Sequence, residues 1–214
     1  MKHKIEKNTV QETLILPLYS RKLCTELYPN LYQDETAVRL IDEIDYDFSE
    51  AEKNSRSLMQ RFGALEVAMR QNDLAWEVRD YLKTHPSAAV FFASGVFYYF
   101  LTQQVKTLVR GMADAFPGGV LVFDAANRTA VKMITKTWLR TAKIKDVGAY
   151  FAVSDAPKEI GEWDNRLQVT SRGYMLGYND LRDHSVSGFF RFLARVGDNG
   201  MKMQIVKIRF GGKA

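Results

Sequence analysis

Several residues that could bind a ligand or transfer a proton are found at the ends of two predicted strands. Ser94 and Gly95 end the apolar run AAVFFAS, residues 88–94, and Asp124 stands near the end of VLVFDAA, residues 120–126. Short continuous apolar runs predict strands buried on both faces. Because the carboxyl ends of strands line the ligand crevice of open α/β sheets, these three residues are candidate binding residues, and Asp124 is a candidate general base. The alternatives are a plain turn for Ser94 and Gly95 and a helix cap for Asp124.

Two tyrosines follow the first of these runs. Tyr98 and Tyr99 combine an apolar ring with a hydroxyl, which suits the rim of an acceptor pocket, although ordinary core packing is the alternative. The sequence shows no nucleophile elbow, phosphate loop or zinc pattern, so no catalytic residue is assigned. We expect no metal, because the one cysteine, Cys24, has no cluster of ligands near it in the sequence.

The elements that would position these residues change type near residue 86. Apolar residues at helical spacing dominate residues 10–86, which predicts an N-terminal helical cap over residues 1–86. Strands and helices then alternate through residues 87–214, which predicts an α/β domain with a mostly parallel sheet. The final run MKMQIVKIRF alternates with a period of two and follows a hairpin-like turn, so we expect a late antiparallel strand.

Composition and charge restrict the class of partner. The chain has 214 residues, of which 46% are hydrophobic, and its apolar runs are far shorter than the roughly 20 residues that a bilayer requires. We therefore expect a cytoplasmic protein with no membrane partner. Residues 1–90 carry 12 basic against 15 acidic residues, a net of −3, and residues 91–214 carry 18 against 10, a net of +8. The basic stripe Arg128, Lys132, Lys136 and Arg140 suits an anionic substrate or a solvated helix face, and no motif indicates nucleic acid.

Several segments together resemble the leucine carboxyl methyltransferase family, most closely its O-methyltransferases of polyketide biosynthesis. VQETLILPLYSRKL and NLYQDETAVRLIDEIDYDFS are similar to the family's N-terminal helices, and MRQNDLAWEVRDYLKTHP is similar to the helix before its first strand. FFASGVFYYFL and FPGGVLVFDAAN resemble its fourth and fifth strands. The resemblance covers almost the whole chain in family order. It implies a class I methyltransferase with a Rossmann-like sheet, S-adenosylmethionine as cofactor and a small-molecule acid or phenol as methyl acceptor.

The resemblance also implies roles for individual residues. It places Arg70 where an arginine faces the methionine carboxylate of the cofactor, and a guanidinium suits that partner because it offers a bidentate fork. Without the resemblance, Arg70 is an exposed helix arginine. It places Ser94 and Gly95 beside the same methionine end, although many relatives carry a glutamate at the position of Ser94.

One segment of the family pattern is missing. The family continues after its first strand into a glycine-rich turn and a second strand whose acidic end binds ribose, whereas here THPSAAV runs directly into FFASG. Those features hold the cofactor in the family. The alternatives to an active methyltransferase are therefore a non-catalytic remnant or interaction module, or a basic protein that binds anionic partners. The gap also leaves the strand at 88–94 with an unpaired edge, so we expect a homodimer or aggregation.

Overall fold

The first part of the chain is a layer of helices. The computed structural model describes residues 2–6, 10–91, 93–134, 136 and 148–211. The helices of this layer are α1 (Val10–Leu27), α2 (Glu35–Glu43), α3 (Ser49–Asn54) and α4 (Leu58–Leu82). Asp34 and Ser57 fix where α2 and α4 begin, because their side chains accept hydrogen bonds from backbone N–H groups three residues later. Helices therefore dominate residues 10–82, while the N-terminal helical cap over residues 1–86 stays a prediction.

Small buried residues let α1 and α4 pack closely. Cys24 on α1 and Ala64 and Ala68 on α4 are fully buried in one hydrophobic cluster. Burial raises the pKa of the Cys24 thiol to about 12. Cys24 is therefore a small core residue rather than a reactive thiol.

The strands form two separate sheets. A short parallel pair joins β1 (His3–Lys4) to β2 (Ile44–Asp45). The larger sheet contains β3 (Val120–Ala125), β4 (Leu167–Gly173) and β5 (Gln204–Phe210) in the order β3-β5-β4, and both pairings are antiparallel. The fold class is mixed α/β and the late antiparallel strand is confirmed. The prediction of a mostly parallel sheet is wrong for the described residues. Although β3 and β4 run in the same direction, β5 lies between them and pairs antiparallel with both.

The predicted strand at residues 88–94 is also wrong where the structure describes it. Residues 88–91 and 93–94 form no strand, and the side chain of Phe91 is 78% exposed. A strand needs a neighbour to take its backbone N–H and C=O groups, and none of the described residues forms a strand beside β3 on this side. The unpaired strand edge expected there does not form in the described residues. The homodimer stays a prediction, based now on exposed apolar side chains.

Helices cover both faces of the larger sheet. The remaining helices are α5 (Thr102–Ala115), α6 (Arg128–Ile134), α7 (Ala156–Gly161) and α8 (Gly188–Arg195). Residues alternate along a strand, so Phe123 and Ile208 face α5 and α7 while Asp124 and Lys207 face α4. One hydrophobic cluster joins helical-layer residues such as Leu65 to sheet residues such as Ile205. The division at residue 86 stays a prediction. No helix among the described residues is long and apolar enough to cross a bilayer.

Candidate functional site

The polar centre of the molecule lies where α4 crosses the end of β3. Asp124 is 2% exposed and accepts a hydrogen bond from the backbone N–H of Gly95 at 2.7 Å through Oδ1. Its Oδ2 lies 3.4 Å from Nη1 of Arg70. Gly95 has φ of +69°, a left-handed conformation that glycine adopts without strain, and this turn directs its N–H toward the carboxylate. Three segments far apart in sequence therefore meet at one carboxylate.

The helix cap predicted as the alternative role of Asp124 belongs to a different residue. Asn127 Oδ1 accepts a hydrogen bond from the backbone N–H of Ala130 at 3.0 Å and so caps α6. Both oxygens of Asp124 are turned toward Gly95 and Arg70 instead. Both oxygens of this carboxylate are held by groups of the protein, so its geometry fits an orienting role.

Three further groups complete the cluster around Arg70. Tyr174 is buried, and its hydroxyl donates a hydrogen bond to Oε1 of Glu66 at 3.1 Å. Glu66 stands one helical turn before Arg70, on the same face of α4. Burial, followed by the charge of Asp124, raises the pKa of the Tyr98 hydroxyl well above its ordinary value. Burial also raises the pKa of Tyr174 and of Glu66. The cluster therefore contains one guanidinium, two carboxyl groups and two phenols that stay protonated.

Arg70 keeps unused hydrogen-bonding capacity in this cluster. Burial opposes its charge, but Asp124 and the neighbouring acidic groups outweigh that effect and raise the pKa of the guanidinium. Among the described residues its buried Nε has no hydrogen-bond partner. Such a donor normally finds an acceptor. Arg70 can therefore bind one further carboxylate, while Asp124 and Glu66 can accept from an ammonium group.

The same face of α4 carries two more contacts to the C-terminal half. Asp73 accepts a hydrogen bond from Asn179 at 3.0 Å. Glu77 accepts from the Tyr178 hydroxyl and from Nζ of Lys207, both at 2.7 Å. Our reading of the sequence missed Glu66, Asp73 and Glu77. Their spacing with Arg70, at intervals of four, three and four residues, was a detectable signal of one helix face, whereas nothing local indicated their partners.

The predicted site residues divide into two groups. The structure brings together Arg70, Gly95, Tyr98 and Asp124. Ser94 and Tyr99 are half-buried next to them in the chain, and no hydrogen bond or ion pair within the described part of the protein joins their side chains to the cluster. The basic residues Arg128, Lys132 and Lys136 are exposed, as a solvated helix face would be, while Arg140 lies outside the described residues.

Comparison with known proteins identifies no relative of this chain. No family model matches it, no curated protein matches it, and no solved structure matches it. Within the described residues, no group of three His, Cys, Asp or Glu side chains is placed to hold a metal ion. The cluster around Arg70 therefore carries the functional argument.

Proposed function

We propose that the chain is an S-adenosylmethionine-dependent O-methyltransferase whose methyl acceptor is a small-molecule acid or phenol. The fold that we propose for this enzyme is a truncated, Rossmann-like class I methyltransferase sheet under a helical cap. The cofactor's methionine end would lie at Arg70 and Asp124, and the acceptor on the side of Tyr98. One observation carries the proposal: the residues that the family resemblance selected independently, Arg70 and Gly95, meet at Asp124.

The charges of the cluster match an α-amino acid. The methionine end of S-adenosylmethionine carries one carboxylate and one ammonium group. The unpartnered Nε of Arg70 supplies a donor for the carboxylate. The buried carboxylate of Asp124 supplies an acceptor for the ammonium, helped by Glu66 on the same side of α4. The cluster around Arg70 would therefore bind a zwitterion better than a simple anion or cation.

The chain's contribution to methyl transfer would be positioning. The cofactor supplies an electrophilic methyl group when bound. The Phe97–Tyr99 turn of 3-10 helix packs against β3, and the Gly95 turn is hydrogen-bonded to Asp124 of the same strand. These two turns would form one wall beside that group. Tyr98, held in a fixed position by burial, would orient an acceptor oxygen by hydrogen bonding. Holding two reactants in line accounts for much of such catalysis, so no dedicated base is required.

A second candidate is a non-catalytic remnant or interaction module of the same origin. It is favoured by the direct junction of THPSAAV to FFASG, which leaves no glycine-rich turn and no acidic strand end for the nucleoside part of the cofactor. Residues 89–91, which would lead into that turn, are exposed and form no strand. Under this reading the Arg70 cluster stabilises the packing of α4 on β3 and binds no cofactor.

Transfer of a labelled methyl group distinguishes the two candidates. The protein is incubated with S-adenosylmethionine labelled in its methyl group, at about 2 mM so that weak binding is not limiting, and with a panel of small carboxylic acids and phenols. The methyltransferase proposal expects label in at least one acceptor. It also expects that Arg70→Met, under conditions where circular dichroism shows it to be folded, abolishes the transfer while Arg79→Met, an exposed arginine of the same helix, does not.

The outcome for the second candidate is equally specific. Absence of transfer with every acceptor, from protein shown to be folded by circular dichroism, would contradict the enzyme and support the remnant. Methyl transfer that persists in Arg70→Met would contradict the proposed cofactor site but would still support the methyltransferase activity.

A further inference from the structure

A cavity separate from the Arg70 cluster lies between α8 and the loop that follows β4. Its volume is about 1060 Å³, which is large enough for a drug-sized ligand. The loop side is formed by residues 176–182 and the helix side by Arg191 and Arg195. Neither side belongs to the proposed cofactor site.

The walls of this cavity carry an excess of positive charge. Three arginines line it, Arg182, Arg191 and Arg195, against the single carboxylate of Asp180. Asp180 pairs with Arg182 at 3.5 Å, and both side chains are largely exposed, so that pair is weak. In the described part of the chain, Arg191 and Arg195 form no ion pair with a carboxylate. One turn of α8 separates them, which places both guanidinium groups on the same face.

Arg191 is held in place by the loop that it faces. Its Nη1 donates to the carbonyl oxygen of Val186 at 2.7 Å and lies 3.5 Å from that of Leu181. Leu181 is fully buried with φ of +53°, a left-handed conformation that is uncommon for leucine. The loop therefore keeps a defined shape. With one nitrogen committed to the backbone, the rest of the Arg191 guanidinium remains available to a ligand.

The opposite part of the lining is apolar or neutral. Leu31, Leu176 and the ring of Tyr178 provide apolar surface. Asn179 connects the lining to the carboxyl group of Asp73 behind it. Burial raises the pKa of Asp73 to about 8, so this carboxyl is mostly protonated at neutral pH and does not cancel the arginine charges.

We infer that this cavity is a binding site for a small organic oxyanion, a carboxylate or phosphate ester with an apolar or aromatic body. Arg191 and Arg195 bind the oxyanion, since planar guanidinium groups match carboxylate and phosphate oxygens in bidentate geometry. Tyr178 and the leucines contact the body. The inference is independent of methyl transfer, because it uses none of the residues of the Arg70 cluster.

Calorimetric titration of the full chain with matched probes tests the inference. The probes are benzoate, phenyl phosphate, inorganic phosphate and neutral benzamide. We expect benzoate or phenyl phosphate to bind measurably below about 1 mM, and inorganic phosphate and benzamide to bind more weakly. Whichever of the two aromatic anions binds more tightly identifies the head group, and either result supports the site.

Two glutamine variants separate a specific site from a general effect of charge. Arg195→Gln removes an exposed cavity arginine, and we expect a loss of affinity of about tenfold or more. Arg209→Gln removes an exposed arginine on β5, makes the same change in net charge and should leave the affinity unaltered. Equal weakening by the two variants, absence of binding at about 10 mM probe, or equal affinity for phenyl phosphate and inorganic phosphate would overturn the inference.

Discussion

At the scale of single residues, the pairing of Arg70 with Asp124 determines how α4 docks on the sheet. The side chain of Asp124 is 1% exposed and that of Arg70 is 16% exposed, so water screens the pair poorly. Removing one member of such a pair costs more than removing both, because a buried charge is left without a partner.

Arg70→Met should therefore be strongly destabilising. We expect a loss of about 3–5 kcal/mol in the free energy of unfolding, because Asp124 is left charged and buried. Adding Asp124→Asn should restore about 2 kcal/mol, since the amide oxygen still accepts from the N–H of Gly95. Urea unfolding of the single and double variants measures both values, with Arg79→Met as control. An Arg70→Met variant as stable as that control would refute the pairing.

Asp73 makes the stability of the protein depend on pH. Burial raises its pKa from 3.8 to about 8, and its Oδ2 has no partner among the described residues. As the pH rises, the unfolded chain loses this proton first. The stability that protonated Asp73 contributes is thus complete below about pH 4 and is lost between about pH 4 and about pH 8.

Asp73→Asn should remove this pH dependence. The amide stays neutral and keeps the oxygen that accepts from Asn179, so we expect the variant to exceed the wild type by about 1–4 kcal/mol at pH 8 and to equal it near pH 4. Urea titrations across this range measure the difference, and Asp42→Asn on exposed α2 serves as control. A constant difference between variant and wild type at every pH would show that Asp73 does not titrate as proposed.

At the scale of elements, local pattern predicted the helices and the strands β3 and β5 but not which strand pairs with which. The helices α1, α2 and α4 and the strand β3 follow from apolar spacing and capping residues such as Asp34. The run at residues 88–94 has a comparable apolar pattern to β3, yet it forms no strand where described, because strand formation also depends on a neighbour that the run itself does not encode. Similarly, Gly95 and Asp124 were identifiable at strand ends, whereas the contact of Tyr174 with Glu66 spans 108 residues and left no local signal.

The exposure of residues 89–91 can be tested by substitution. Phe91→Ser should change the free energy of unfolding by less than about 0.5 kcal/mol, because the ring is 78% exposed. Phe123→Ala, in the core strand β3, should cost about 3–5 kcal/mol. Chemical denaturation of both variants makes the comparison. If Phe91→Ser cost as much as Phe123→Ala, residues 88–94 would be a buried strand after all.

At the scale of the whole molecule, the two predicted domains are joined through α4. Its polar face contacts the C-terminal half at Asp124, Asn179 and Lys207, and the hydrophobic cluster beneath it contains residues of both halves. The apolar pattern of residues 10–86 predicted a separate cap, but it did not reveal how much of the core the two parts share.

A shared core predicts one cooperative unfolding transition. Far-ultraviolet circular dichroism reports mainly the helices of residues 10–82. Trp163 packs against the sheet cluster, so its fluorescence reports that region in a variant whose other two tryptophans, Trp76 and Trp138, are replaced by phenylalanine. We expect the two signals to give the same midpoint in urea. Midpoints that differ beyond error would support independent folding of residues 1–86 and 87–214.

Binding of S-adenosylmethionine at Arg70 tests the central proposal most directly. The sequence lacks the glycine-rich turn and the ribose carboxylate of the family that it resembles, and each would supply hydrogen bonds worth about 1.5–3 kcal/mol. Calorimetry should therefore give a dissociation constant of about 1 mM for the wild type. The same titration should detect no binding to the double variant Arg70→Met/Asp124→Asn, which we expect to be more stable than Arg70→Met alone and to stay folded. Binding to Arg79→Met should be unchanged. Equal affinity of the wild type and the double variant, or no binding to the wild type at about 10 mM ligand, would contradict the proposed cofactor site.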